Sequence, residues 1–390
     1  MNQNLSSIVD QFAIRGTVAE IKPLGEGLIN DTLLVKTAEA DAPNYVLQRV
    51  NTNVFPDVDM LMGNIRAVTT HIRQKLEARG ETDIDRKVLT FVPLKSDPTK
   101  LYTLAPLSSP EGDTAPKTAD NDGKEAPSGA VGGATSPWRL MVFINDAITK
   151  QAVNPESSEA AGEAFGQFQA MLADIPVQLG ETIKDFHNME FRIQQLKEVI
   201  QKDPAGRVKS VQPIIDELFS YAEEMTLAER LGREGKLPKR ICHCDTKVNN
   251  MMFDKNDRVL CVIDLDTVMP NFIFSDYGDF LRTAANFTAE DDPDLSKVGF
   301  NMDIFKAFTR GYLRSAKSFL TPLEIQLLPY AATLFPYMQA VRFLWDYISG
   351  DKYWKCRYPE HNLDRVRNQL ALFKSAYALK QEMADFIAQQ

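Results

Sequence analysis

The run His243 to Asn250 (HCDTKVNN), followed shortly by Val262 to Thr267 (VIDLDT), constrains this chain more than any other stretch. Asp245 and Asn250 stand in a polar segment that reads as a loop. Asp264 ends a β-branched apolar run, Val259 to Ile263 (VLCVI), that reads as a buried strand. A solvated turn at Asp254 to Asp257 (DKND) would not by itself require Asn249, Asn250, Asp264 and Asp266 at the two ends of one hairpin. The strand-to-loop arrangement fixes two carboxylates and an amide on one rigid edge. Phosphoryl transfer from a nucleotide needs such a set: a carboxylate to orient the acceptor hydroxyl, and two oxygen ligands to hold Mg²⁺ against the phosphates.

At 390 residues the chain exceeds one typical hydrophobic core, so two lobes are expected. A formal charge of −9 argues against a nucleic-acid or anionic-membrane partner. It leaves ATP open as a ligand, because a local cationic pocket and a metal ion outweigh a diffuse negative field. Cys242-His243-Cys244 has the wrong spacing for a zinc knuckle, and no second Cys/His pair follows at ligand spacing, so the four cysteines read as reduced thiols. The start MNQNLSSIVDQF lacks a basic stretch followed by an apolar core, and no run of 18 apolar residues exists. The expectation is a cytoplasmic protein without a leader or a membrane span. Oligomeric state is not legible.

Three strand-like runs open the chain: Thr17 to Leu24, Asp31 to Thr37 and Tyr45 to Val50. Apolar residues at Met60, Leu61, Ile65, Val68, Ile72 and Leu76 predict a helix over 58–76. Two further strands are expected at Val88 to Leu94 (VLTFVPL) and Trp138 to Ile144 (WRLMVFI). The intervening 107–137 is rich in Pro, Gly, Ser, Asp and Ala without an aromatic residue, and reads as a flexible insertion, with a lid over a nucleotide as the alternative. After Ile144 the pattern turns helical, with helices expected over 156–173, 189–201, 211–231, 302–318, 322–346 and 362–388.

In HCDTKVNN, in VIDLDTVMPNFIFSDYGDFLRT (262–283) and in DFHNMEFR (185–192), the chain resembles the aminoglycoside phosphotransferase and choline kinase family. The resemblance extends over most of the length and is densest from Ile241 to Arg282. Within that family these segments are most similar to N-acetylhexosamine 1-kinases. It implies an α+β, bilobal, protein-kinase-like fold: a small, mainly β amino-terminal lobe with one long helix (1–144), and a larger, mainly α carboxy-terminal lobe (145–390). It implies an ATP- and Mg²⁺-dependent enzyme that phosphorylates the anomeric hydroxyl of GlcNAc or GalNAc.

Carried over residue by residue, the resemblance makes Asp245 the acid-base group that holds the acceptor hydroxyl, Asn250 and Asp264 the metal ligands, and His243 and Asp276 structural anchors of the loop. Lys247 takes either a phosphate-contacting role or that of a solvated loop lysine, and Asp266 either a metal or a loop hydrogen-bonding role. Gly25, Gly27 and Asn30 form either a nucleotide-covering turn or a plain hairpin turn. The family expects a lysine in the third strand. YVLQRV departs from this: Gln48 takes the register and Arg49 supplies a charge, while on the next helix Asn64 is the nearest polar candidate for the acid that pairs with that lysine.

For the sugar, the resemblance favours Arg342 and Tyr353 in AVRFLWDYISGDKYWKCRYPEHN (340–362), with Trp345 and Trp354 nearby. An Arg342–Asp346 pair at helical spacing is the structural alternative. His187 is either a third sugar contact or a helix-start residue. Two classes stay open: an ATP-dependent kinase of a sugar or another small alcohol such as choline or an aminoglycoside, and an inactive nucleotide-binding protein of the same fold.

Overall fold

The computed structural model describes residues 3–25, 29–106 and 135–390. Gly27 and all but the last three residues of the expected insertion lie outside them. The chain forms two compact units, Met1–Ala147 and Ile148–Gln390.

In the amino-terminal unit a short helix, α1 (Gln3–Val9), precedes strands β1 (Val18–Pro23), β2 (Asp31–Thr37) and β3 (Tyr45–Arg49). Helix α2 (Val58–Ala78) follows, started by Asp57, whose carboxylate accepts the Met60 N–H at 2.9 Å. Strands β4 (Tyr102–Pro106) and β5 (Thr135–Val142) complete an antiparallel sheet of order β1-β2-β3-β5-β4. Alternation along β3 and β5 splits the sheet into two faces. Tyr45, Leu47, Trp138 and Leu140 join Ile8, Val9 and Phe12 in one apolar cluster. The other face carries Gln48 and Arg139, and Arg139 reaches Met62 of α2, with Nη1 4.0 Å from the sulfur.

Two expectations here need correction. Thr135, Ser136 and Pro137 are not insertion but the start of β5, paired with Pro106, Ala105 and Leu104. The run VLTFVPL is not a strand: it touches the sheet through one bridge, Phe91 to Met141, and Pro93, lacking an N–H, cannot extend a ladder. The fourth strand is instead Tyr102–Pro106.

The carboxy-terminal unit is mainly helical: α3 (Pro155–Leu172), α4 (Met189–Lys202), α5 (Gln212–Met225) and α6 (Leu227–Arg233), then α7 (Phe274–Ala284), α8 (Met302–Ala316), α9 (Pro322–Gln326), α10 (Leu328–Ser349), α11 (His361–Ala378) and α12 (Lys380–Ala388). Between α6 and α7 run four short strands, β6 (Arg240–Cys242), β7 (Met251–Phe253), β8 (Val259–Val262) and β9 (Met269–Asn271), paired as β6-β9 and β7-β8. Three helices expected as single rods are each two. The first breaks at Thr226, whose hydroxyl donates to the carbonyls of Ala222 and Glu223 and closes the turn. The second breaks at Leu327 ahead of Pro329, which has no N–H to continue the helix, and the third at Leu379.

Helix α7 lies close against α10 because Gly278 has no side chain; a Cβ there would come within 2.4 Å of the Ala331 carbonyl oxygen. That approach sets the position of Asp276, Asp279 and Arg282. No helix of the described residues is long and apolar enough to cross a membrane.

Candidate active site

The loop after β6 is held from beneath by two acids of α7. Asp276 accepts the backbone N–H groups of His243 at 3.0 Å and Cys244 at 2.8 Å, and also the Gln169 amide at 2.7 Å. Asp279 accepts the Thr246 N–H at 3.0 Å, and the Thr246 hydroxyl donates to the Asp276 carbonyl at 2.7 Å. Cys244 takes a left-handed conformation, φ 63°, inside this bracing. Burial pushes the Asp276 carboxyl up from its ordinary value against the pull of His243 and the two N–H groups.

His243 is fully buried and edge-on to Phe165 and Phe168. Its Nδ1 accepts the Asp245 N–H at 3.2 Å, so its Nε2–H donates to the Ile263 carbonyl at 2.8 Å. The imidazole thus ties the loop carrying Asp245 to the end of the strand that leads to Asp264.

Asp245 faces two donors. Asn250 Nδ2 donates to its backbone carbonyl at 2.8 Å and to its carboxylate at 3.0 Å. Lys247 Nζ lies 2.9 Å from its other oxygen, so Lys247 is an ion-paired loop lysine. Burial alone would raise the Asp245 carboxyl; the Lys247 ammonium, helped by His243 and the Asn250 amide, outweighs it and holds the group below its ordinary value. Lys247 is raised in turn, burial being outweighed by Asp245.

Asn250 ends a single 3₁₀ turn (Val248–Asn250) directly before β7. Met251 pairs with Val262, and the Ile263 N–H donates to the Asn250 carbonyl at 2.9 Å. Antiparallel register therefore brings Asn250 alongside the residue that precedes Asp264. Asp264 is exposed and left-handed, φ 60°, at the mouth of a second 3₁₀ turn (Leu265–Thr267) that buries Asp266. With its Nδ2 committed to Asp245, Asn250 presents Oδ1 as an acceptor. Among the described residues no group of three His, Cys, Asp or Glu could hold a metal. One amide and one carboxylate, completed by phosphate oxygens and water, still suit Mg²⁺, which keeps few protein ligands. All four cysteines are free thiols, and burial pushes Cys242, Cys244 and Cys261 up.

In the amino-terminal unit Gly25 is left-handed, φ 70°. Asn30 is buried and accepts the Asn51 N–H at 3.0 Å, which fastens the end of the β1–β2 turn to the end of β3. Gln48 donates to the Thr32 hydroxyl at 3.1 Å and accepts from Arg139 at 3.0 and 2.9 Å. Arg49 stands on the opposite face, paired with Asp31. The cation hydrogen-bonded to Gln48 is therefore Arg139, only 2% exposed, which the sequence reading passed over. Its signal was a lone charge within the apolar run WRLMVFI.

Arg342 does not pair with Asp346. Asp346 accepts the backbone N–H groups of Lys352, Tyr353 and Trp354 at 2.8 to 3.1 Å, and the Asn362 amide at 2.8 Å. That cap shapes the loop bearing Tyr353, which is 45% exposed. Arg342 instead lies over the rings of Phe186, at 5.5 Å, and Trp354, at 5.3 Å. His187 is stacked on Phe186 beside it. Arg282 bridges Asp279, at 3.2 Å, and Glu290, at 2.7 Å, and its charge reaches both Lys247 and Arg342. Asp279 and Arg282 were not singled out in the sequence, although the repeat DYGD, 276–279, carries the signal.

The same fold recurs in solved structures at low identity. The choline kinase from Cryptosporidium parvum Iowa II superposes with a TM-score of 0.54 at 13% identity, covering 98% of this chain and 96% of that one. The microcompartment-associated aminopropanol kinase gives 0.51 at 13%, covering 97% and 98%. Amicoumacin kinase hAmiN, solved in complex with AMP-PNP, Ca²⁺ and Ami, gives 0.50 at 12%, covering 100% and 94%. These likenesses establish the protein-kinase-like α+β fold, with a β-sheet amino-terminal region and a helical carboxy-terminal one. The model of the phosphotransferase enzyme family matches residues 20–314 of the 390, and the chain belongs to that family.

Proposed function

We propose that this protein transfers the γ-phosphoryl group of ATP to the anomeric hydroxyl of an N-acetylhexosamine, releasing ADP and the sugar 1-phosphate. The observation that carries the phosphotransfer reading is the Asp245 carboxylate held between Lys247 Nζ, at 2.9 Å, and Asn250 Nδ2, at 3.0 Å. A carboxylate kept ionised and fixed in direction can hold an acceptor hydroxyl in line with phosphorus and take its proton late, as the new O–P bond forms and the bond to the bridging β,γ-oxygen breaks. Lys247, two residues along the same loop, can exchange its contact with Asp245 for a phosphate oxygen and stabilise the charge that develops there.

Asn250 and Asp264 would hold Mg²⁺, which when bound neutralises phosphate charge. In the amino-terminal unit the turn at Gly25 and Asn30, with Gln48 and Arg139, would serve the nucleotide. The substrate reading rests on the resemblance together with the aromatic setting of Arg342 and Tyr353: rings and polar tips suit a neutral sugar. The test is an ADP-release assay over free hexoses, N-acetylhexosamines, choline and aminoglycosides, with phosphorus NMR of the product. Coupling of phosphorus to the anomeric proton is expected. A 6-phosphate, or turnover confined to choline or an aminoglycoside, overturns the sugar assignment.

A further inference from the structure

The segment between α7 and α8 is closed at its base. The Phe287 N–H donates to the Gly299 carbonyl at 3.3 Å, and the Asn301 N–H to the Ala285 carbonyl at 2.8 Å. Midway along it stand two adjacent acids, Glu290 and Asp291. One side chain of α11, fully buried Asn368, fixes the backbone on both flanks of this pair. Its Nδ2 donates to the Ala289 carbonyl at 3.0 Å and to the Asp292 carbonyl at 3.1 Å, while its oxygen accepts the Asn286 amide at 3.1 Å. A backbone clamped on both sides gives the two carboxylates set positions.

The two acids serve different partners. Glu290 Oε2 accepts from Arg282 Nη1 of α7 at 2.7 Å. Arg282 is buried and donates through Nε and Nη2 to Asp279 Oδ1, each at 3.2 Å, while Asp279 Oδ2 accepts the Thr246 N–H at 3.0 Å. The shortest of these guanidinium contacts is thus the one to Glu290. A planar fork pinned at one side by Glu290 orients the carboxylate at the other, and that carboxylate holds the residue next to Asp245.

Asp291 is bonded to the first residue of α11. His361 Nδ1 accepts the Arg357 N–H at 3.1 Å, so its Nε2–H donates to Asp291 Oδ2, at 3.0 Å. The imidazole is buried, with the Tyr358 ring stacked on it at 4.7 Å. Asp291 therefore fixes the tautomer and direction of the ring that pins the far end of the 350–360 loop. The near end of that loop, capped by Asp346, carries Tyr353.

We propose that Glu290 and Asp291 are paired positioning residues: through Arg282 and Asp279 the first sets the loop of Asp245, and through His361 the second sets the loop of Tyr353, so that the acceptor meets the base in register. Resting on the phosphotransfer reading above, this gives neither acid a contact with substrate. A misplacement of about 1 Å costs on the order of 10²-fold in rate, so a small shift of either loop is felt in turnover or affinity.

The experiment is hydrogen–deuterium exchange of the whole chain, resolved to the Thr246 and Arg357 amides, together with steady-state kinetics on GlcNAc, or on choline if choline alone turns over. Glu290→Ala is expected to speed exchange at Thr246 by at least about 3-fold and leave Arg357 unchanged, the size expected of a partly exposed charged contact. Asp291→Ala should do the reverse. Glu290→Ala should lower kcat by a similar factor with the acceptor KM held, and Asp291→Ala should raise the acceptor KM with kcat held. Glu290→Gln and Asp291→Asn, which keep an oxygen acceptor in place, should restore most of each loss. Unchanged exchange at its own loop removes the residue concerned. Faster exchange at both amides in either variant, with a lowered melting temperature, marks a merely structural role and overturns the proposal, as does an active enzyme without the split between kcat and KM. The expected exchange pattern in a protein that phosphorylates no sugar, choline or aminoglycoside leaves the two tethers standing and overturns the kinase reading instead.

Discussion

Asn250 donates one side-chain amide to both the backbone carbonyl and the carboxylate of Asp245, at 2.8 and 3.0 Å. A single side chain thus fixes the direction of the proposed base. The two residues are separable by mutation. Asp245→Asn should lower kcat by at least about 10²-fold with little change in melting temperature, since a positioned acid-base group contributes on that order. Near-normal turnover would remove Asp245 from the chemistry.

Metal dependence tests Asp264 and Asn250. Activity should vanish in EDTA and return with Mg²⁺ or Mn²⁺. Asp264→Ala should abolish turnover at any practical metal concentration while leaving the fold intact, because the Asp264 side chain is exposed. Asn250→Ala should both raise the metal requirement and lower kcat, as it loses an oxygen ligand and the hold on Asp245. ATP cleavage that proceeds without a divalent ion would contradict both assignments.

Asp276 gives a prediction about stability. Its carboxylate accepts from the His243 and Cys244 N–H groups and from Gln169, all buried. Asp276→Ala orphans those donors at about 1–3 kcal/mol each, less whatever water enters, so chemical denaturation should show a clear loss together with reduced activity. A variant as stable as the wild type would show that the loop is braced elsewhere.

Glu229 supplies a pH dependence away from the chemistry. Its carboxyl accepts the Met189 N–H at 2.6 Å through one oxygen, while the other is buried without a partner. Burial pushes it up to about 7 from an ordinary 4.5. The folded protein therefore takes up this proton at higher pH than the unfolded chain, so Glu229 penalises the fold above pH 7 and ceases to do so as pH falls toward 4.5. Glu229→Gln, which mimics the neutral acid, should raise the melting temperature at pH 8.5 and leave it nearly unchanged at pH 5. A shift of the same size at both pH values would exclude titration as the cause.

Asp245 has the opposite sign. Held below its ordinary 3.8, it contributes stability that is present above that value and is lost as pH falls through the lower, folded one. The acid limb of kcat/KM is accordingly expected below pH 3.8. A limb centred near 6 would assign the essential base to another group.

The hairpin carrying Asn250 and Asp264 was legible in the sequence because it is local: a polar loop, a continuous β-branched apolar run and a turn lie close together in the chain. The long helix over 58–78 and the helical character after Ile144 were legible for the same reason, and the roles of His243 and Asp276 followed from the motif. Other features depended on partners far apart in sequence. The fourth strand is Tyr102–Pro106 and not VLTFVPL, because Pro93 stops the earlier run while β5, beginning at Thr135, offers its edge to the later one. Arg139 becomes the cation beside Gln48 only through the pairing of β3 with β5. Asp346, four residues from Arg342 on one helix, caps the loop that follows, and Arg342 lies instead over the Phe186 and Trp354 rings. Sequence spacing reports which side chains can share a face of one element. Which buried charge finds which partner is decided when distant elements pack, since desolvation forces each buried polar group to take the nearest available match.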